Sequence, residues 1–122
     1  MINAILVVCL LYLVQLILPG FFSKEETAAV GKRALNALHN LRESLPVFFV
    51  LAVISQYNDV ESNILLAQAW ILFRSAFLLV YAWGLNLKPV DEFGRQAQPL
   101  RSLIWVGSVV CLVWMAINIA IV

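Results

Sequence analysis

Arg33-Ala34-Leu35-Asn36-Ala37-Leu38-His39-Asn40-Leu41-Arg42-Glu43-Ser44-Leu45-Pro46, followed by the apolar run from Val47 to Ile54, is the stretch that decides the fold of this chain. A helix needs about 20 residues to cross a hydrocarbon core of about 30 Å, and the purely apolar part, Leu45 to Ile54, supplies about half of that. The crossing therefore has to begin near Lys32. That extension carries Asn36, Asn40 and Glu43 to membrane depth, where lipid cannot solvate them and they must face protein or water. At 3.6 residues per turn, Arg33, Asn36, Asn40 and Glu43 share a stripe about 80° wide, while Leu35, Leu38, Arg42 and Leu45 point elsewhere. Pro46 leaves the carbonyl of Arg42 without its usual amide donor and favours a kink there.

The remainder of the sequence agrees with a membrane setting. Of its 122 residues 63% are hydrophobic and only 12% charged, outside the range of soluble domains. A net charge of +1, with the charges confined to short segments, offers no footprint for nucleic acid. Ile5 to Phe22 is preceded by no Lys or Arg and followed by no small-residue cleavage pattern, so a retained transmembrane helix is expected rather than a signal peptide. Cys9 and Cys111 lie within apolar runs and are expected to pack as small hydrophobes.

The expected fold is all-α: a single four-helix, up-down-up-down membrane bundle over residues 1–122, with spans at about 3–22, 32–57, 62–87 and 100–122. Pro99 is suited to the first turn of the last span. Lys24, Lys32 and Arg33 flank the first loop and Lys88, Arg95 and Arg101 the third, whereas Asn58 to Glu61 carries no basic residue. By the bias of Lys and Arg toward the cytoplasm, loops one and three are expected there and both termini on the opposite side. Lys88 to Gln98 is expected to be the most mobile loop.

The third span carries a second polar and aromatic stripe, in which Trp70, Arg74, Phe77, Tyr81 and Lys88 recur at helical spacing. An arginine in mid-span requires a partner or water. Glu43 and Arg74 fall at depths of roughly 16 and 21 Å from the cytoplasmic end, so a contact between them, within one subunit or between two, is geometrically reasonable. Two roles stay open for such a pair: interhelical adhesion or part of a ligand site. Asn36, Asn40 and Arg33, nearer the cytoplasmic mouth, favour a ligand pocket. Tyr81 fits a pocket or an interfacial aromatic belt. His39, about 100° around the helix from Asn40, is expected at the surface or in packing rather than as a base.

The guanidinium and ammonium groups of such a pocket suit carboxylates, and its one carboxylate suits an amine, which together describe a small zwitterionic peptide. No Cys cluster, His pair or HExxH spacing points to a metal, and no phosphate-binding glycine loop is present. A small multidrug exporter also has four spans, but it needs a carboxylate in the first span to couple protons, and that span offers only Gln15.

Arg33, Ala37, Asn40, Glu43 and Pro46 resemble the second-helix pattern, Arg followed by Ala-x-x-Asn-x-x-Glu-x-x-Pro, of the membrane-associated proteins in eicosanoid and glutathione metabolism, the MAPEG family. Arg74 and Tyr81, seven apart on the third span, reinforce the likeness. The resemblance implies a left-handed four-helix bundle assembled as a homotrimer, with glutathione bound between subunits near the cytoplasmic face. It implies that Arg33, Asn40, Glu43 and Tyr81 hold glutathione; Asn36 and Arg74, from the two polar stripes, are added to the expected binding set. Lys88 and Arg101 are then the expected cations for the glutathione thiolate, which would attack a lipophilic electrophile or hydroperoxide dissolved in the bilayer. The sequence departs from active members at Asn36, where they often carry arginine, at Leu38, where they carry His or Gln, and at Phe77, where a second tyrosine often lies. A non-catalytic scaffold or lipid-binding protein of the same fold is the competing expectation.

Overall fold

The computed structural model describes residues 1–21, 24, 28–82 and 99–121. Four helices account for nearly all of them: α1 (Ile2–Phe21), α2 (Ala28–Tyr57), α3 (Ser62–Ala82) and α4 (Pro99–Ala120). Each is long and apolar enough to cross a membrane. The all-α four-span architecture read from the sequence is therefore present. Pro99 opens α4, where its missing amide is not needed. Of the expected third span, residues 83–87 lie outside the described residues, as does the loop from Lys88 to Gln98.

The helices pack through a regular stripe. On α2 the buried positions Ala34, Leu41, Phe48 and Ser55 alternate with Leu38, Leu45 and Ala52, a seven-residue repeat that keeps one face turned to its neighbours. On α3 the same repeat places Asn63, Trp70 and Phe77 against Ala67 and Arg74. Arg74 is thus buried because it occupies a core register, not because it lines an opening. The main core joins Val8 of α1, Leu41 and Phe48 of α2, Trp70 of α3 and Met115 of α4, with Phe48 and Trp70 stacked at 4.2 Å between centroids. Toward the Ala82 end of α3, Ala34 and Ala37 pack on Phe77 and Ala82, small residues that let two helix backbones approach closely. Gly107 serves the same purpose on α4: a Cβ there would lie 2.6 Å from Phe73 Cε1.

At the α2–α3 end the bundle is clamped by hydrogen bonds. Asn63 Nδ2 donates to Ser55 Oγ at 2.8 Å and to the Met115 carbonyl at 3.1 Å, and Asn118 Nδ2 donates to Asn63 Oδ1 at 2.9 Å. One buried amide thereby ties α2, α3 and α4. The connection itself is a Schellman turn, with the Val60 amide donating to the Ser55 carbonyl at 2.9 Å and the Asp59 amide to that of Gln56 at 3.4 Å. Asp59 occupies the left-handed position, φ 54°.

The helix α2 starts at Ala28 and continues through Pro46 as a 30-residue helix, so it reaches back to Lys32 and one turn beyond. At 1.5 Å per residue it is roughly 45 Å long, about 15 Å more than a hydrocarbon core.

Candidate functional site

The polar face of α2 looks away from its buried stripe. There Asn36, His39, Asn40 and Glu43 form one wall of a cavity of about 330 Å³, closed by Phe77 and Tyr81 of α3 and by Arg101, Ser102 and Trp105 of α4. Asn40, Tyr81 and Arg101 are half-buried, Phe77 is buried, and the other wall residues are exposed. The Asn40 Oδ1 atom is buried and has no hydrogen-bond partner among the described residues. An orphaned buried acceptor is costly, and a donor on a ligand would relieve it.

Aromatic rings link two cations across this wall. The Arg101 guanidinium lies 4.7 Å from the centroid of Tyr81, the Tyr81 and Phe77 rings meet edge to face at 5.5 Å, and the Arg74 guanidinium lies 4.6 Å from the centroid of Phe77. Such stacking holds Arg101 beside the cavity while leaving its N–H groups to reach an anion. Arg74 itself is 1% exposed, and its Nε and Nη1 have no hydrogen-bond partner among the described residues.

A second, apolar cavity of about 400 Å³ continues from the first along α2 and α4. The two share Asn40, Glu43 and Trp105, and from that seam the groove runs past Ser44, Val47 and Leu51 on one side and Val109, Leu112, Val113 and Ala116 on the other. The stretches 40–51 and 105–116 each span eleven steps, roughly 16 Å of helix rise. A polar chamber beside the start of α4 thus opens onto an apolar trough along α2 and α4.

Of the residues singled out from the sequence, the structure brings Asn36, Asn40, Glu43, Tyr81 and Arg101 together. Arg33 is elsewhere: its Nε donates to the Ala82 carbonyl at 3.1 Å, tying α2 to the end of α3. Arg74 sits in the core behind Phe77, and Lys88 lies outside the described residues. His39, expected at the surface or in packing, lines the polar cavity. It lies about 100° from Asn40 but only about 40° from Glu43, one turn further on, and the cavity follows the Glu43 edge of the stripe. Ser102 and Trp105 were not anticipated either; they follow from Arg101 at one residue and one turn. Among the described residues no three His, Cys, Asp or Glu side chains are grouped as metal ligands.

Fold and site together define a four-span membrane protein with a polar pocket between α2, the end of α3 and the start of α4, and an apolar groove continuous with it. The MAPEG family profile matches residues 2–121, essentially the whole chain, and the chain belongs to that family. No curated protein and no solved structure matches it.

Proposed function

We propose that the protein is a membrane-bound, glutathione-dependent transferase or peroxidase, in which a glutathione thiolate attacks lipophilic electrophiles or hydroperoxides at the cytoplasmic side of the bilayer. The observation that carries this reading is the seam at Asn40, Glu43 and Trp105, where a polar cavity and an apolar groove meet. A water-soluble thiol and a bilayer-soluble acceptor have different solvents, and a site that joins them needs one compartment for each.

In the polar cavity Glu43 pairs with the glutathione α-amine, Asn36 and Asn40 bond its amides and carboxylates, and Tyr81 and Arg101 face the thiol. A thiol of pKa about 8.5 is mostly protonated at neutral pH, and a fixed guanidinium lowers that value. Arg101 is the described cation on the wall, with Lys88 retained from the sequence as a second. Arg33 and Arg74 act behind this wall, Arg33 by fixing the end of α3 and Arg74 by supporting Phe77.

The assembly is proposed to be a homotrimer. Lys32, Asn36, His39, Arg42 and Glu43 are all exposed on one protomer, and lipid cannot cover those that fall within the hydrocarbon region. A second copy against α2 and water in the pocket between copies would satisfy them. The pocket end of the bundle is read as cytoplasmic from the Lys and Arg bias of the sequence. The test is turnover by the intact protein in lipid vesicles: glutathione consumption with a bilayer-partitioning electrophile, abolished in Glu43→Ala. Equal rates with and without protein across a panel of enals, aryl halides and hydroperoxides would contradict transferase and peroxidase activity and leave the scaffold reading.

A further inference from the structure

We infer that Phe77 is a positioning residue of this site: its phenyl ring touches no reacting atom and, through Tyr81, fixes where the Arg101 guanidinium stands. The inference rests on the glutathione reading above and names what holds the cation which that reading needs.

Arg101 is half-buried and makes no hydrogen bond or ion pair among the described residues, so the face of Tyr81, 4.7 Å from ring centroid to guanidinium carbon, is what holds it. An aromatic face attracts a cation, but it fixes the charge only if the ring is itself fixed. The Tyr81 ring is half-buried and meets the Phe77 ring edge to face, at 5.5 Å and 83°. Aromatic pairs prefer such a geometry, so the setting of Phe77 passes to Tyr81. Phe77 has little freedom of its own. It is 3% exposed, packs with Ala34 and Ala37 of α2 and with Ala82, and carries the buried Arg74 guanidinium 4.6 Å from its centroid. Arg74, Phe77 and Tyr81 stand at steps of three and four residues, neighbours on one face of α3. The four groups form a row from the core to the cavity wall, and its buried end anchors its exposed end.

A phenyl ring has no hydrogen-bonding atom, so Phe77 offers glutathione no bond of its own. What it supplies is placement. The attraction between a guanidinium and a thiolate falls with distance, and a thiol ionises more readily the closer a fixed cation stands. With the ring removed, Tyr81 is free to turn and Arg101 moves with it, so the bound thiol keeps its proton to higher pH. The other charged or titratable side chains on the wall, among the described residues, are His39 and Glu43 of α2, with none from α1. They are common to every variant compared below.

Phe77→Leu and Phe77→Met each replace the ring by an apolar chain, and Met adapts to an irregular gap where Leu does not. Both are compared with wild type, Arg101→Leu and the Phe77→Leu, Arg101→Leu double variant as full-length protein in detergent micelles. Thiolate absorbance against pH gives the ionisation midpoint of bound glutathione, and calorimetry well below that midpoint gives the Kd of the thiol form. Loss of the ring is expected to raise the midpoint, leaving about threefold less thiolate at a given pH below it, against about tenfold less in Arg101→Leu. The Kd of the thiol form is expected to change less than the thiolate fraction does. In the Arg101→Leu background, loss of the ring is expected to leave the midpoint where it is, because the cation that Phe77 positions is absent. A wild-type midpoint in the ring-less variants, beside a shifted one in Arg101→Leu, overturns the inference and leaves glutathione binding standing. A full shift added by Phe77→Leu in the double variant also overturns it, since Phe77 would then act otherwise than through Arg101. Arg101→Leu with no shift removes the cation to be positioned and the inference with it, and a wild-type protein that binds no glutathione overturns both readings.

Discussion

Replacing Asn63 tests whether the polar clamp holds the bundle together. Asn63 is fully buried and makes three side-chain hydrogen bonds, to Ser55 Oγ, to the Met115 carbonyl and from Asn118 Nδ2, which join α2, α3 and α4. Interhelical hydrogen bonds in membrane proteins average about 0.6 kcal/mol each and reach about 1.7, so losing three costs about 2 kcal/mol and at most about 5. Asn63→Leu keeps the branched shape and the number of heavy atoms and removes the bonds, so that no cavity is opened. Asn63→Ala adds a void and should lose about 1 kcal/mol more. The assay is reversible unfolding in mixed micelles by titration with a denaturing detergent, followed by helical circular dichroism. A double-mutant cycle with Asn118→Ala should return a coupling of about 0.6 to 1.7 kcal/mol. The clamp lies 18 residues from Tyr81 along α3, roughly 27 Å from the pocket wall, so ligand binding should be unaffected. Asn63→Leu unfolding within about 0.5 kcal/mol of wild type would refute the reasoning, since a surface-like tolerance of that size is incompatible with three working bonds.

Asp59→Gly should stabilise the fold by about 0.5 to 1 kcal/mol in the same unfolding assay, because φ 54° is strained for a residue with a Cβ and free for glycine. Gly107→Val should destabilise it by about 1 to 3 kcal/mol through overpacking against Phe73, with partial recovery in a Gly107→Val, Phe73→Ala double variant. Arg101→Leu removes the cation proposed to lie beside the thiol, so bound glutathione should ionise at higher pH. A shift of about one unit means about tenfold less thiolate below the new midpoint, read from ultraviolet thiolate absorbance against pH.

The four spans were legible because lipid imposes a simple rule on composition, and the stripe was legible because it breaks that rule. The start of α2 was not: Ala28 to Gly31 contains no charge and no turn residue before the glycine, and a helix can run on past the membrane boundary into water without any marker in the sequence. Angles alone placed Asn36, Asn40 and Glu43 together, yet they set His39 aside because its offset was measured from Asn40 and not from Glu43. Which edge of the stripe faces the cavity depends on the rotation of α4, fixed by Gly107 against Phe73 and by Asn118 against Asn63. Those are tertiary contacts, and they also bring Ser102 and Trp105 to the wall. Arg33 escaped for another reason: its partner is the Ala82 carbonyl, and a backbone acceptor carries no side-chain pattern to read.

The central claim is that the cavity walled by Asn40, Glu43, Tyr81 and Arg101 holds glutathione as its thiolate. Titration of the detergent-solubilised protein with glutathione, monitored by thiolate absorbance, tests it most directly. Saturable absorbance that is lost in Glu43→Ala and weakened in Asn40→Leu is the expected result, and no absorbance change up to millimolar glutathione would contradict it.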